Sequence, residues 1–139
     1  MKKLLIAILA TVMTQQAMAV NWAWVDENNT GKFYIDLDSI QADTLVNGTA
    51  VMTAWTQIEN KQAEDWDGKK YWTTKSFYYI DCRARKFDIE YHAAYDKQDR
   101  VVWIGNMPSF NRYSSANWIR VIPGTAGETI FNTVCAYAN

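Results

Sequence analysis

The chain of 139 residues contains one histidine, His92. A single imidazole cannot build a zinc site from this inventory, and the sequence shows no suitably placed serine or thiol partner for it. There is no G-x-S-x-G elbow and no phosphate-binding glycine loop, so no catalytic centre and no cofactor are expected. An excess of positive charge is missing too: 14 Lys and Arg stand against 15 Asp and Glu. A nucleic-acid binder needs a basic surface, and the balance argues against that class. After residue 19 no apolar run is long enough to span a bilayer. There are no internal repeats and no low-complexity segment. With 49% hydrophobic and 21% charged residues the chain is not disordered, and its length allows one domain with one core.

What is present begins with an export signal. Lys2 and Lys3 form a positive start, Leu4 to Met13 is apolar except for Thr11, and Ala17-Met18-Ala19 places small residues before a cleavage site. Residues 1–19 read as a secretory signal peptide and 20–139 as a single domain. Cleavage removes two lysines, so the mature chain is more acidic still. No cysteine follows the cleavage point, so no lipid anchor is expected, and the product is placed in the periplasm or at the cell surface. That compartment decides the two cysteines, Cys82 and Cys135, which read as a disulfide. A metal pair or a thiol nucleophile lacks supporting neighbours.

Strand signals follow. Trp22–Val25 and Phe33–Ile35 are short extended runs around the turn cluster Asn28–Gly31. Asn47-Gly48 predicts a type I′ hairpin, with the next strand over Thr49–Ile58. Glu59–Lys70 is polar and reads as a loop containing Asp67-Gly68. Tyr71–Asp81 has aromatics on both faces, with Trp72, Tyr78, Ile80 and Cys82 on one and Tyr71, Phe77 and Tyr79 on the other. Phe87, Ile89, Tyr91, Ala93 and Tyr95 alternate with Lys86, Asp88, Glu90, His92 and Ala94, which predicts one buried and one wet face. Arg100–Ile104 and Trp118–Ile122 are further extended pieces around a polar loop.

The C-terminus changes period. Thr125-x-x-Glu128 matches a capping box, and Ala126, Ile130, Val134 with Phe131, Cys135, Ala138 form one helical face. The fold class is therefore α+β: a mainly antiparallel sheet of about six strands, with one C-terminal helix packed on it and stapled by the disulfide. One helix covers one face of the sheet. A loop, a curl of the sheet or a second copy of the chain must cover the other.

Candidate binding residues lie in loops. Trp66, Phe110 and Tyr113 are aromatics in polar surroundings and suit partner recognition. Arg83, Arg85 and Lys86 form a basic turn that suits an acidic partner or a glycosaminoglycan, or is simply a solvated turn. His92 reads as a solvated side chain on the wet face, the alternatives being a haem ligand or a pH switch. Asp36 and Asp38 lack the third ligand and the Glu of a calcium loop and read as turn and cap residues.

Several segments in this order resemble the surface-adhesin protein E family of Gram-negative bacteria. They are Phe33-Tyr34-Ile35-Asp36-Leu37-Asp38-Ser39-Ile40, Lys75-Ser76 followed by Asp81-Cys82, Arg85-Lys86-Phe87, and Pro123-Gly124-Thr125 with Cys135 on the last helix. The resemblance runs from about Trp24 to Cys135. It implies an envelope protein with this sheet, helix and disulfide, and adhesins that bind host extracellular-matrix and plasma proteins, and haem. The matched segments are structural, so no ligand-binding residue is carried over. The expected function is an exported, non-enzymatic protein-binding module. The alternative is a periplasmic envelope-maintenance or assembly factor with no host ligand.

Overall fold

The computed structural model describes residues 20–138, and the signal peptide reading lies outside them. Eight strands form one antiparallel sheet: β1 (Trp22–Glu27), β2 (Gly31–Asp36), β3 (Gln41–Thr44), β4 (Ala50–Trp66), β5 (Lys69–Asp81), β6 (Lys86–Tyr95), β7 (Val101–Asn106) and β8 (Ile119–Arg120). The order is β1-β2-β4-β5-β6-β7, with β3 alongside β4 and β8 alongside β6. The sheet thus has eight strands rather than about six, because β3 and β8 are short pieces at one end of longer neighbours. Helix α1 (Ala126–Cys135) follows Pro123-Gly124.

One face carries the main core. Phe33, Ile35, Met52, Ala54 and Ile80 pack against Ile130, Phe131 and Val134 of α1. Ile35, Ile80 and Val134 are fully enclosed, each contributing roughly 1.5–3 kcal/mol of burial. The helix starts as its sequence predicts: Thr125 Oγ1 accepts from the Glu128 N–H at 3.3 Å. The Glu128 carboxylate reaches one residue further back than the capping box requires and accepts from Gly124 N–H at 2.9 Å. Cys82 and Cys135 are bonded, with their Cα atoms 5.7 Å apart.

The other face is covered in part by the 107–118 loop. Trp118 enters a second cluster with Leu45, Val51 and Tyr79, with Phe110 and Phe77 beside it. Trp118 Nε1 donates to the Asn111 carbonyl at 3.1 Å, and the Arg112 guanidinium donates to the Tyr79 hydroxyl and, at 2.9 Å, to Asp43. The Thr44 backbone N–H and Arg112 together hold the Asp43 carboxyl below its usual range. The loop expectation for this face holds over that half of the sheet.

Three sequence expectations are corrected. Asn47-Gly48 is not a type I′ turn, because Gly48 alone has a positive φ there; Leu45 accepts from Gly48 N–H at 2.9 Å. The type I′ signature, positive φ at two successive residues, sits at Asp67 (φ 50°) and Gly68 (φ 76°). Glu59–Lys70 is accordingly not a loop but the far end of the long β4–β5 hairpin. It is polar because the hairpin projects beyond the core. Finally, the strict alternation of β6 is broken. Phe77 faces Tyr91 while Tyr78 faces Ile89, so Glu90 is an extra residue. A bulge flips the pleat phase. Phe87 and Ile89 lie on the helix face, whereas Tyr91, Ala93 and Tyr95 lie on the opposite one. His92 and Ala94 consequently leave the wet face; Ala94 is buried and His92 half-buried.

Candidate functional site

The residues singled out from sequence fall in separate places. Arg85 has a positive φ in the β5–β6 turn, pairs with Glu128 at 2.9 Å, and lies 4.9 Å from the Phe131 ring centroid. Lys86 donates to the carbonyl of Ala116 at 2.6 Å and pins the covering loop. Arg83 is exposed and borders a recess of about 410 Å³ that Val51, Met52 and Tyr137 also line. Phe110 packs 4.8 Å from Tyr79. Tyr113 is exposed in the same loop. Asp36 caps a 3-10 turn over Leu37–Ser39, its Oδ1 accepting from Asp38 N–H at 3.2 Å. The basic turn is therefore partly spent on holding the loop and the helix.

Trp66 is placed differently. Glu59 faces Thr73 and Glu64 faces Tyr71, so residues 60–63 stand opposite Trp72 alone. An insertion of that size bends a strand sharply. The bend lays the hairpin tip over the sheet beyond α1, and Trp66 meets Trp103 of β7 with ring centroids 5.1 Å apart. Trp66 still keeps 47% of its surface in solvent. Trp103 in turn lies 5.7 Å from His92, and Lys97 Nζ sits 4.0 Å from the Trp72 centroid. Trp66 and Trp103 thus form a tryptophan pair with one exposed ring.

The patch adjoins a free sheet edge. Among the described residues β7 pairs with β6 only. Its sequence, Val-Val-Trp-Ile-Gly-Asn, carries no charge, and Val101 and Ile104 are exposed. Edges of this kind accept another strand unless charge or proline blocks them. At the opposite edge, β1 carries a bulge at Val25 and the acids Asp26 and Glu27.

The fold gives His92 the serine partner that the sequence did not show. Ser76 Oγ is 2.7 Å from His92 Nδ1, because β5 and β6 set these residues opposite each other. Burial pushes the His92 pKa below its ordinary value. Ser76 is only 4% exposed, so its hydroxyl lies beneath the surface. The pair satisfies two buried polar groups and positions the ring under Trp103. Trp103 was missed as a site residue, and His92 was read as solvated, because their meeting with Trp66 depends on two bulges, which leave no periodic signal.

The family described as surface-adhesin protein E matches residues 22–136 of the chain. None of the curated proteins and none of the solved structures matches it.

Proposed function

This chain belongs to the surface-adhesin protein E family, and from that premise we propose that it is an exported protein-binding module whose partner docks along β7. The family makes it an adhesin-like surface protein and supports a binding role. The observation that carries the more specific reading is the half-exposed Trp66 ring, held on Trp103 of an uncharged edge strand. A partner segment laid along β7 gains backbone hydrogen bonds from the edge and an aromatic anchor from the patch. Tyr113 lies outside this surface and Phe110 is taken up by packing. Host extracellular-matrix and plasma proteins are the partner class in this reading. A periplasmic partner is the alternative, and a second copy of the chain could use the same edge.

The test has two parts. Protease shaving of intact cells, with a periplasmic marker as control, shows whether the protein is displayed outside. The purified mature protein is then bound to immobilised matrix and plasma proteins and compared with Trp66→Ala and Ile104→Lys. Display, together with binding lost at least tenfold in both variants, supports the reading. Binding unaffected by either variant refutes the site. Sparing from protease while the outer membrane is intact removes a host partner. Light scattering that gives twice the chain mass, reverting in Ile104→Lys, assigns the edge to a second copy.

A further inference from the structure

The face opposite α1 holds a second aromatic surface that the covering loop leaves open. The loop packs on Phe77, Tyr79 and Val51. Beyond it, Trp22, Trp55, Lys75, Tyr91 and Tyr95 line a recess of about 320 Å³. Ala93 lies at its base and is buried at 2% exposure. An adjoining recess of about 400 Å³ shares Lys75 and Tyr95 and is otherwise lined by Gln57, Glu59, Thr73 and Asp99. The two make one groove, aromatic at one end and polar at the other.

Sheet register explains the gradient. Trp55, Phe77 and Tyr91 stand in one row across β4, β5 and β6; Gln57, Lys75 and Ala93 form the next; Glu59, Thr73 and Tyr95 form the third. The side chains at the polar end are pre-set. Glu59 accepts from the Tyr34 hydroxyl at 3.1 Å and from Gln57 Nε2 at 3.2 Å. Lys75 Nζ lies 5.1 Å from the Tyr95 centroid and 5.9 Å from that of Trp22. Among the described residues it is in no ion pair.

We infer that this groove is a binding site for a short neutral saccharide. A pyranose presents a face of C–H groups, which packs on an aromatic ring, and a rim of hydroxyls, which both donate and accept hydrogen bonds. The groove offers rings beside an amide, a hydroxyl, an ammonium and carboxylates, a set that matches both halves of a sugar. An apolar chain would leave the polar end desolvated without partners. In the mature chain an anionic glycan or a phosphate would meet three carboxylates, Asp36, Glu59 and Asp99, against two ammonium groups, that of Lys75 and the new N-terminus at Val20. Three rows spaced two residues apart along the strands span about 13 Å, room for two or three sugar rings. The site lies on the other side of the sheet from Trp66 and Trp103 and stands independently of the protein-partner reading.

The test is a titration of the ¹⁵N-labelled mature protein with chitotriose, cellotriose, maltotriose and N-acetyllactosamine, each to roughly ten times millimolar concentration. At least one should shift the indole N–H signals of Trp22 and Trp55 saturably and leave those of Trp66 and Trp103 in place. Gln57→Ala and Lys75→Ala, both surface changes, should weaken that binding at least fivefold, while Trp66→Ala leaves it unchanged. Trp55→Ala should abolish it, provided its amide spectrum remains that of the folded protein. No saturable shift with any of the four sugars overturns the proposal. So does a response at Trp66 and Trp103 alone, or heparin displacing the sugar and binding more tightly than any of them.

Discussion

Replacing both cysteines in the variant Cys82→Ala/Cys135→Ala removes a cross-link between residues 53 apart in sequence. Closing a loop of that length takes roughly 14 cal/mol/K from the unfolded chain, or about 4 kcal/mol at 25 °C. A domain of roughly 120 residues unfolds with an entropy near 250 cal/mol/K, so the midpoint temperature should fall by roughly 15 °C. The domain should still fold. Ala126, Ile130, Phe131 and Val134 remain buried on α1, and the Thr125 cap and the Arg85–Glu128 pair do not involve sulfur. Urea unfolding followed by circular dichroism at helical and aromatic wavelengths is the assay. One shared transition at lower urea supports a cross-link that acts on the unfolded chain. A change below about 1 kcal/mol would mean that the unfolded chain already keeps its ends together. Loss of helical signal ahead of the aromatic signal would mean that the bond clamps the helix locally, and either result refutes the calculation.

Three further perturbations test separate parts of the structure. A Cβ on Gly31 would lie 2.5 Å from the Glu59 carbonyl oxygen, so Gly31→Ala should cost about 1–3 kcal/mol in urea unfolding by forcing β2 from β4; a neutral result would show that the strands part freely. Asp81 is buried, its Oδ2 accepting from Ser115 Oγ at 2.6 Å and its Oδ1 from Ala84 N–H at 2.8 Å. Ser115→Ala removes one of these donors and should cost about 1–3 kcal/mol, whereas an unchanged midpoint would mean that the carboxylate recovers a partner from solvent. Burial lowers the folded pKa of His92 from 6.5, so the unfolded chain binds a proton near that pH that the folded chain refuses. Stability should therefore be full above about 6.5 and decline as the pH drops through it, and His92→Gln should flatten the decline between about pH 7 and 5. Asp43, whose pKa is lowered from 3.8, contributes stability that is lost only at lower pH. Equal slopes in wild type and variant would assign the dependence elsewhere.

The parts of this molecule legible in sequence are those governed by local repetition. The helix face through Ile130 and Val134, its Thr125 start and the β5 aromatics follow from period and capping chemistry. The pairing of the cysteines follows from their even number once residues 1–19 are read as an export signal. The polar end of the β4–β5 hairpin was illegible because a strand wet on both faces has the composition of a loop. Asp67-Gly68 and Asn47-Gly48 carry the same turn chemistry, and only the strands around them decide which adopts two positive φ values. Most consequential is Glu90. Glu90 is the extra residue between two consecutive partners on β5, so the odd-numbered residues of β6 face the helix side up to Ile89 and the opposite side from Tyr91 on. Both proposed surfaces depend on that shift: it puts His92 under Trp103, and Tyr91 and Tyr95 beside Trp55 and Lys75. Deleting Glu90 tests the point. Tyr91 would then follow Ile89 directly, and plain alternation keeps Ile89 on the helix face and Tyr91, Ala93 and Tyr95 on the other. Both halves of β6 keep their partners, so the variant should unfold in one transition with native amide dispersion in the NMR spectrum, losing the hydrogen bond that the Glu90 carbonyl accepts from Met107 N–H. Collapsed dispersion, or loss of the Trp66–Trp103 contact, would show that the local twist of the bulge and not only its phase holds the two surfaces in place.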